Sequence, residues 1–473
     1  MKTKILMALL LWLCAGTAGM AQTAAVDSLP ARIDRLVADK LPQGSNVGIC
    51  VYDLTTNKYI YQYQADKLSR PASTMKLLTA ITALDHEGGD EPFRTEVWCK
   101  GRIEGDTLRG DLYVVGGFDP EFDEAALDTL VAYVARSRFS VIAGKVYGDV
   151  SMKDSLYWGS GWVWDDNPYS FQPYLSPLML CKGVVSLTVR PGQKGEAAEI
   201  TTSPASTYYR VVNRTVSRTP SAGRFRLTRN WLEEGNDLLV SGNVASAQGG
   251  KVNVRGSERF FMHTFVERLR ASGVECDSCY GFSEFSRDST SRCLIRYETP
   301  VMNVAEQLMK KSDNLNAEAM LCRLGMQATG KKHVSASDGL SAIRMLIKKL
   351  GFDPDDYNMA DGCGLSNYDY LSPQLLVGFL KYAYSRTGLF QKLYKILPVG
   401  GMDGTLKNRM KKGTLSYRNV HAKTGSYTGI NSLAGYLQTS NGHWVAFAIM
   451  NQNVMSGRQA RAFQDAVCDE IIR

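Results

Sequence analysis

The pattern of hydrophobic and polar residues predicts strands and helices at both ends of the chain and a β-rich middle. Residues 31–41 have a helical pattern, and residues 46–54 (NVGICVYDL) alternate as a strand. A Thr-Thr-Asn-Lys turn and a second alternating run at residues 59–64 complete a predicted β-hairpin. A helix is predicted next, because Pro71 suits a first helical position and the apolar residues after it recur at helical spacing.

The sequence pattern changes between residues 94 and 288, where short runs typical of β-strands are separated by turns containing Gly, Asp and Pro. Helical periodicity then returns, and the chain ends in three predicted strands and a helix, at 420–427, 430–438, 443–451 and 458–473. We therefore predict one main domain, residues 22–97 and 289–473, interrupted by an inserted β-rich region, residues 98–288, made of two small domains. A chain of 473 residues is too long for one simple core.

The N-terminus has the pattern of a secretory signal peptide. Lys2 and Lys4 precede an apolar run from Ile5 to Ala15, and small residues follow up to residue 21. The run is shorter than the roughly 20 apolar residues of a membrane-spanning helix. We expect cleavage after residue 21 and a periplasmic mature protein without a transmembrane anchor.

The charge and the cysteine content indicate which partners and which disulfides to expect. Without the two lysines of the predicted signal peptide, the chain has 53 basic and 47 acidic residues. The basic residues are spread along the chain and do not form a cluster, so no nucleic-acid partner is expected. Nine cysteines remain after removal of Cys14, an odd number for a compartment where disulfides form. Pairing is expected among Cys276, Cys279 and Cys293, whereas the apolar surroundings of four others predict buried thiols: Cys50, Cys181, Cys322 and Cys468.

The first candidate for chemistry is Ser73-Thr-Met-Lys76 on the predicted helix. Residues three apart share a helix face, so the two side chains can touch. A neutral lysine amine can take the proton of a serine hydroxyl, which makes Ser73 a candidate nucleophile. Burial and a second cation such as Lys423 would lower the pKa of Lys76. The helix start would favour the oxyanion formed on attack.

Two further motifs follow, Ser312-Asp313-Asn314 and Lys423-Thr424-Gly425. The first falls between two predicted helices, where Ser and Asn are also ordinary capping residues. In the functional interpretation, Ser312 relays a proton to the leaving amine and Asn314 binds the substrate amide.

The third motif lies on a predicted strand, where Gly425 would let a substrate backbone approach and pair as an added strand. Lys423 and Thr424 would bind the substrate's terminal carboxylate. The N–H of Ser426 would join that of Ser73 in an oxyanion hole.

Together the motifs form the set found in penicillin-binding proteins and class A β-lactamases. Five longer segments extend the match: VVGGFDP (114–120), GWVWDD (161–166), DGCGLS (361–366), LPVGGMDGTLKNR (397–409) and HAKTGSYTGINSLAGYL (421–437). With these segments the chain resembles the D-Ala-D-Ala carboxypeptidase/endopeptidases of the penicillin-binding protein 4 type, the low-molecular-mass class C. The resemblance implies an α/β (α+β) fold, in which a β-lactamase/transpeptidase-like catalytic domain with a five-stranded antiparallel sheet flanked by helices carries an inserted β-rich region.

The resemblance also implies a reaction. Ser73 would attack the carbonyl of the penultimate D-Ala in peptidoglycan stem peptides ending in D-Ala-D-Ala, or in their cross-links, and β-lactams would be inhibitors. No metal or organic cofactor is expected, and the five scattered histidines include no His-Glu-x-x-His pattern. One departure is Cys363, where the family usually has serine. Asp361 and Asp403 are interpreted as turn-forming and structural, and Trp162 and Trp164 as core residues of the inserted region.

Two alternatives remain open at this stage. A β-lactamase would need a dedicated base to activate the deacylating water, and no Glu-x-x-x-Asn segment stands in a suitable place between the first two motifs. A catalytically silent cell-wall-binding protein would use the same fold only to recognise peptides.

Overall fold

The computed structural model describes residues 28–86 and 89–473. The predicted signal peptide, residues 1–21, lies outside this part of the chain. Ten α-helices are described, α1 to α10 in chain order: Leu29–Lys40, Met75–Asp85, Glu124–Ala135, Ser257–Ala271, Val301–Lys310, Asn314–Thr329, Ala336–Lys349, Pro373–Tyr384, Thr387–Ile396 and Gly457–Ile472. None of the helices within these residues is long and apolar enough to cross a membrane.

Seventeen strands are described in the same residues, β1 to β17 in chain order: Asn46–Asp53, Lys58–Tyr63, Phe93–Glu104, Thr107–Gly116, Val141–Ile142, Val146–Asp149, Val184–Arg190, Glu199–Ser203, Val211–Ser217, Arg226–Arg229, Leu238–Val244, Gln248–Asn253, Tyr280–Phe282, Ser291–Thr299, His421–Tyr427, Ile430–Gln438 and Trp444–Gln452. The predicted N-terminal hairpin and the three C-terminal strands are confirmed to within one residue at each end.

The chain divides into two compact units. Of the described residues, the first contains 28–77 together with Leu350–Asn358 and Asp369–Arg473, and the second contains 78–86, 89–349 and Met359–Tyr368. This division does not coincide with the predicted boundaries at 97/98 and 288/289, which stay a prediction.

The first unit is built on a five-stranded antiparallel sheet of order β15-β16-β17-β1-β2. On one face, α1 and α10 pack together over a core that includes Ile33, Phe447 and Phe463. On the other face, α8 packs against β1, β16 and β17. Because helices cover both faces, almost every residue of these three strands is buried, which explains their near-continuous apolar sequences. The predicted sheet and fold class are confirmed.

The second unit is rich in β-structure. Its largest sheet has six strands in the order β13-β6-β4-β3-β14, with β5 paired to β4. Strands β3 and β4 form a hairpin whose two-residue loop begins at Gly105, which adopts a positive φ of 61°. Two three-stranded sheets, β10-β11-β9 and β12-β7-β8, complete the β-structure, and α3 and α4 pack against each other over the shared core.

The cysteines differ from expectation in two respects. All nine in the described residues are free thiols, so the disulfide expected among Cys276, Cys279 and Cys293 is not formed. Cys181 is only partly buried, whereas the other three predicted buried thiols are buried. Burial raises the pKa of Cys50 and Cys322 to about 12, which keeps these thiols protonated and unreactive.

Candidate active site

Ser73 lies in a short 3-10 turn, Ala72–Thr74, that leads directly into α2. The turn is fixed by Thr74, whose N–H and hydroxyl both donate to the carbonyl oxygen of Pro71, at 3.3 Å and 2.7 Å. Ser73 is partly exposed, while its neighbours on either side are buried. The serine hydroxyl is therefore the accessible group of an otherwise closed turn.

Lys76 contacts this hydroxyl. Its Nζ donates to Ser73 Oγ at 2.9 Å, as the three-residue spacing predicts. The Lys76 side chain is fully buried, so solvent does not stabilise its charged form. A buried amine that already contacts the hydroxyl is placed to accept its proton.

A second buried amine, Lys423, belongs to β15. Its Nζ donates to the carbonyl oxygen of Thr424 at 2.8 Å. Burial, and then the charge of Lys76, hold the pKa of Lys423 well below its ordinary value. Two positive charges repel each other strongly where water is excluded. The pair of lysines therefore loses a proton more readily than isolated lysines do.

Gly425 brings β15 against the turn that carries Ser73. A Cβ atom at this position would lie 2.7 Å from the carbonyl oxygen of Pro71 and 3.1 Å from the nitrogen of Ser73. The sequence interpretation assigned Gly425 to an approaching substrate, but the close approach in the structure is to the protein's own turn. This contact fixes the position of the serine relative to the strand.

Strand β15 is an edge strand of the five-stranded sheet, so only one of its two sides pairs with a neighbouring strand, β16. We call its other side the outer edge. Ala422 donates its N–H to the carbonyl oxygen of Pro398 on this outer side. Since N–H groups two residues apart along a strand point the same way, those of Thr424 and Ser426 also face outward. This edge can accept an added peptide strand.

Thr405 also contacts the motif. The hydroxyls of Thr424 and Thr405 are 2.7 Å apart, which orients the threonine of the motif. Sequence reasoning quoted the segment containing Thr405 but assigned that residue no role, since nothing in its composition marks it. His421 stacks on Tyr394 with ring centroids 3.9 Å apart, so it is a packed strand histidine.

The Ser312-Asp313-Asn314 motif lies in the second unit, where it forms the start of α6. Asp313 is the N-cap and accepts from the N–H of Asn316 at 3.1 Å. Ser312 adopts a left-handed backbone conformation with φ 60°, which is uncommon for a residue other than glycine. The side-chain nitrogen of Asn314 donates to the carbonyl oxygen of Phe171 at 2.7 Å.

Lys182, which the sequence reasoning did not single out, anchors this helix start. Its ammonium group lies 2.9 Å from Asp313, 2.7 Å from Glu121 and 2.6 Å from the side-chain oxygen of Asn316. The contacts join residues far apart in sequence, so no local pattern could have indicated them.

The DGCGLS segment is a buried turn organised by Asp361. Its carboxylate accepts N–H groups from residues 363–366 and the indole N–H of Trp162, the latter at 2.8 Å. Trp162 is buried as interpreted, but Trp164 is 62% exposed, so its assignment to the core is wrong. Asp403 likewise accepts the N–H of Val399.

Asp361 and Cys363 of this turn lie close to Glu318 of α6, and the three side chains are of the kinds that bind metal ions. Glu318 accepts the N–H of Gly362 at 2.9 Å, and the Cys363 thiol lies 3.3 Å from Asp361. Because the carboxylate oxygens already accept backbone hydrogen bonds, the arrangement is explained as a turn without a metal ion.

Comparisons with known proteins agree with this geometry. Residues 29–471 match the D-Ala-D-Ala carboxypeptidase 3 (S13) family. A D-alanyl-D-alanine carboxypeptidase of Actinomadura sp. (strain R39) is 30% identical over 92% of this chain and 82% of the relative. The D-alanyl-D-alanine carboxypeptidase DacB of Haemophilus influenzae is 26% identical over 89% of this chain and 88% of the relative.

The fold has a solved counterpart. Penicillin-binding protein 4 of Haemophilus influenzae superposes with a TM-score of 0.80 at 23% identity, covering 93% of this chain and 99% of that one. The resemblance drawn from the motifs is thereby confirmed. The chain belongs to the D-Ala-D-Ala carboxypeptidase 3 (S13) family and is a serine-type D-Ala-D-Ala carboxypeptidase.

Proposed function

We propose that the protein hydrolyses D-alanyl peptide bonds of peptidoglycan through an acyl-enzyme on Ser73. The observation that carries this proposal is the 2.9 Å contact between Lys76 Nζ and Ser73 Oγ, beside the second buried amine of Lys423. A neutral Lys76 takes the hydroxyl proton as Ser73 Oγ bonds to the carbonyl carbon of the penultimate D-Ala.

The bond to the terminal D-Ala then breaks, and its amine leaves with the proton. Ser312 relays that proton to the leaving amine, and Asn314 holds the substrate amide. Water hydrolyses the resulting ester, which returns Ser73 to its hydroxyl form. The outward N–H of Ser426 and the N–H of Ser73 stabilise the oxyanion in both steps.

Substrate recognition is assigned to β15. A stem peptide that adds to the outer edge of this strand gains main-chain hydrogen bonds, and Gly425 lets the strand lie close to the turn that carries Ser73. Lys423 and Thr424 bind the terminal carboxylate, and the contact from Thr405 holds the Thr424 hydroxyl in position.

The same chemistry extends to peptide cross-links and to β-lactams. In a cross-link the leaving amine belongs to a second stem peptide, so cleavage makes the protein a DD-endopeptidase as well. A solved form of the Haemophilus influenzae penicillin-binding protein 4 contains a β-lactam. We propose that β-lactams acylate Ser73 here too, and that the enzyme acts in the periplasm after removal of residues 1–21.

The test is covalent labelling by a fluorescent penicillin. We expect the parent protein and Ser440→Ala, which changes an exposed turn serine, to carry the label, and Ser73→Ala to carry none. Labelling that persists in Ser73→Ala, or fails in the parent, would contradict the proposal.

The lifetime of the adduct separates the proposed peptidase from a β-lactamase. A peptidase keeps the label for minutes or longer, whereas loss within seconds would indicate a β-lactamase. Release of D-Ala from a small peptide ending in D-Ala-D-Ala then measures the carboxypeptidase reaction directly. Mass spectrometry of digested peptidoglycan identifies any cross-link cleavage. Peptidoglycan binding that is unchanged in Ser73→Ala, with neither product released by the parent, would indicate a catalytically silent wall-binding protein.

A further inference from the structure

A polar pocket lined by tyrosines lies in the second unit, at the start of α4. Its volume is about 330 Å³, and it is lined by Tyr157, Tyr174, Tyr208, Glu234, Asn236 and Arg255. We call this the tyrosine pocket. Its volume falls at the lower end of the range of small-molecule sites in proteins. None of its residues belongs to the three catalytic motifs.

Aromatic rings form one side of the tyrosine pocket. The rings of Tyr157 and Tyr174 have centroids 5.4 Å apart and an interplanar angle of 31°. Tyr174 is 6% exposed and serves as a fixed base, whereas Tyr157 is 47% exposed and offers a ring to a ligand. Such rings provide rigid apolar area with a polar end.

The polar side of the tyrosine pocket is held in place before any ligand arrives. The side chain of Asn236 forms a reciprocal pair with the backbone of Arg255, at 2.9 Å and 3.1 Å. The hydroxyl of Tyr208 donates to the carbonyl oxygen of Arg255 at 2.8 Å. Because these contacts fix the backbone and the rings, a ligand would lose little affinity to ordering the protein.

The charges of the lining select the kind of ligand. Arg255 is paired with Glu234 at 2.6 Å, and Arg259 and Glu258 contribute one further charge of each sign. The lining is therefore neutral overall, which gives no preference for an anion. A neutral ligand with many hydroxyl and amide groups fits best, because arginine donates and glutamate accepts hydrogen bonds while the rings cover C–H faces.

We propose that the tyrosine pocket binds the N-acetylated sugars of a peptidoglycan glycan strand. The proposal rests on the proposed function, which makes peptidoglycan the substrate of the enzyme. Binding the sugar backbone would retain the polymer between successive cleavages of its stem peptides. A small peptide without sugars would gain nothing from this pocket.

The experiment measures glycan binding and peptide cleavage separately. Binding of tri-N-acetylchitotriose and of peptide-free glycan strands is measured by calorimetry for the parent, Tyr157→Ala, Tyr157→Phe and Tyr133→Ala. Tyr133 is a matched control, because it is 52% exposed in the same unit and outside the pocket. Activity is measured on whole sacculi and on a small D-Ala-D-Ala peptide.

We expect Tyr157→Ala to weaken glycan binding by roughly tenfold, the size of effect that the loss of one aromatic anchor produces. Tyr157→Phe, which keeps the ring, and Tyr133→Ala should bind like the parent. Tyr157→Ala should digest sacculi several times more slowly while cleaving the small peptide at the parent rate.

Two outcomes would overturn the proposal: a parent that does not bind peptide-free glycan, or a Tyr157→Ala variant that binds it unchanged. Failure of the proposed function would be visible independently. In that case the parent would not cleave the small peptide, whatever the result with the glycan.

Discussion

Gly425→Ala tests whether the position of Ser73 depends on close contact with β15. The added methyl group would lie 2.7 Å from the carbonyl oxygen of Pro71, at least 0.7 Å short of an ordinary contact distance of 3.4 Å. The methyl group is fixed to Cα and the carbonyl oxygen belongs to the backbone, so neither can rotate away and the turn and the strand must separate by about that distance. Misplacement of a catalytic group by about 1 Å can cost about 100-fold in rate. We therefore expect acylation by fluorescent penicillin to slow by one to two orders of magnitude.

The stability of Gly425→Ala should fall by about 1–3 kcal/mol, the usual cost of overpacking, so the folded fraction stays high. Gly388→Ala is the matched control, since a Cβ there meets no atom within 4 Å and the residue lies in α9. Acylation is followed under single-turnover conditions, with the thermal midpoint measured in parallel. A Gly425→Ala variant that acylates at the parent rate would refute the idea that this contact positions the serine.

Two further predictions concern buried groups. Because the pKa of Lys423 is lowered in the folded protein, the unfolded chain binds the proton more tightly, and the parent gains stability as pH rises from the lowered pKa towards 10.5. Lys423→Met should therefore melt above the parent at neutral pH, with a difference that shrinks towards pH 10.5; a constant difference would contradict this. Asp361→Ala should lose about 3–5 kcal/mol in chemical denaturation, because it leaves several buried N–H groups without an acceptor, whereas a loss below about 1 kcal/mol would show that the turn does not depend on this carboxylate.

The elements that were predicted well from the sequence are those in which the order of apolar and polar residues along the segment reflects which side chains are buried. Strands β1, β16 and β17 are recognisable because both faces are covered, so their apolar runs are nearly continuous. The division of the chain into units was harder, since it depends on contacts between distant segments. Residues 359–368, for example, belong to the second unit although both flanking segments belong to the first.

For the candidate site, the short-range geometry was predictable and the long-range support was not. The contact between Ser73 and Lys76 follows from helical spacing alone. The hydroxyl contact between Thr405 and Thr424, and the anchoring of Asp313 by Lys182, join residues 19 or more positions apart and leave no periodic signal. The same reason explains why Gly425 was assigned to a substrate and not to the turn before Ser73.

The candidate site also contains several features that lower the stability of the folded protein. Ala72, directly before Ser73, has a left-handed backbone with φ 46°, a conformation that costs about 1–3 kcal/mol in residues other than glycine. Lys76 and Lys423 add two fully buried amines, which a core built for stability would replace by apolar residues. Ala72 and Lys76 lie within three positions of the partly exposed Ser73, and the charge of Lys76 acts on Lys423. Their concentration around Ser73 is explained by its reactivity, which needs a fixed turn and an amine that can be neutral.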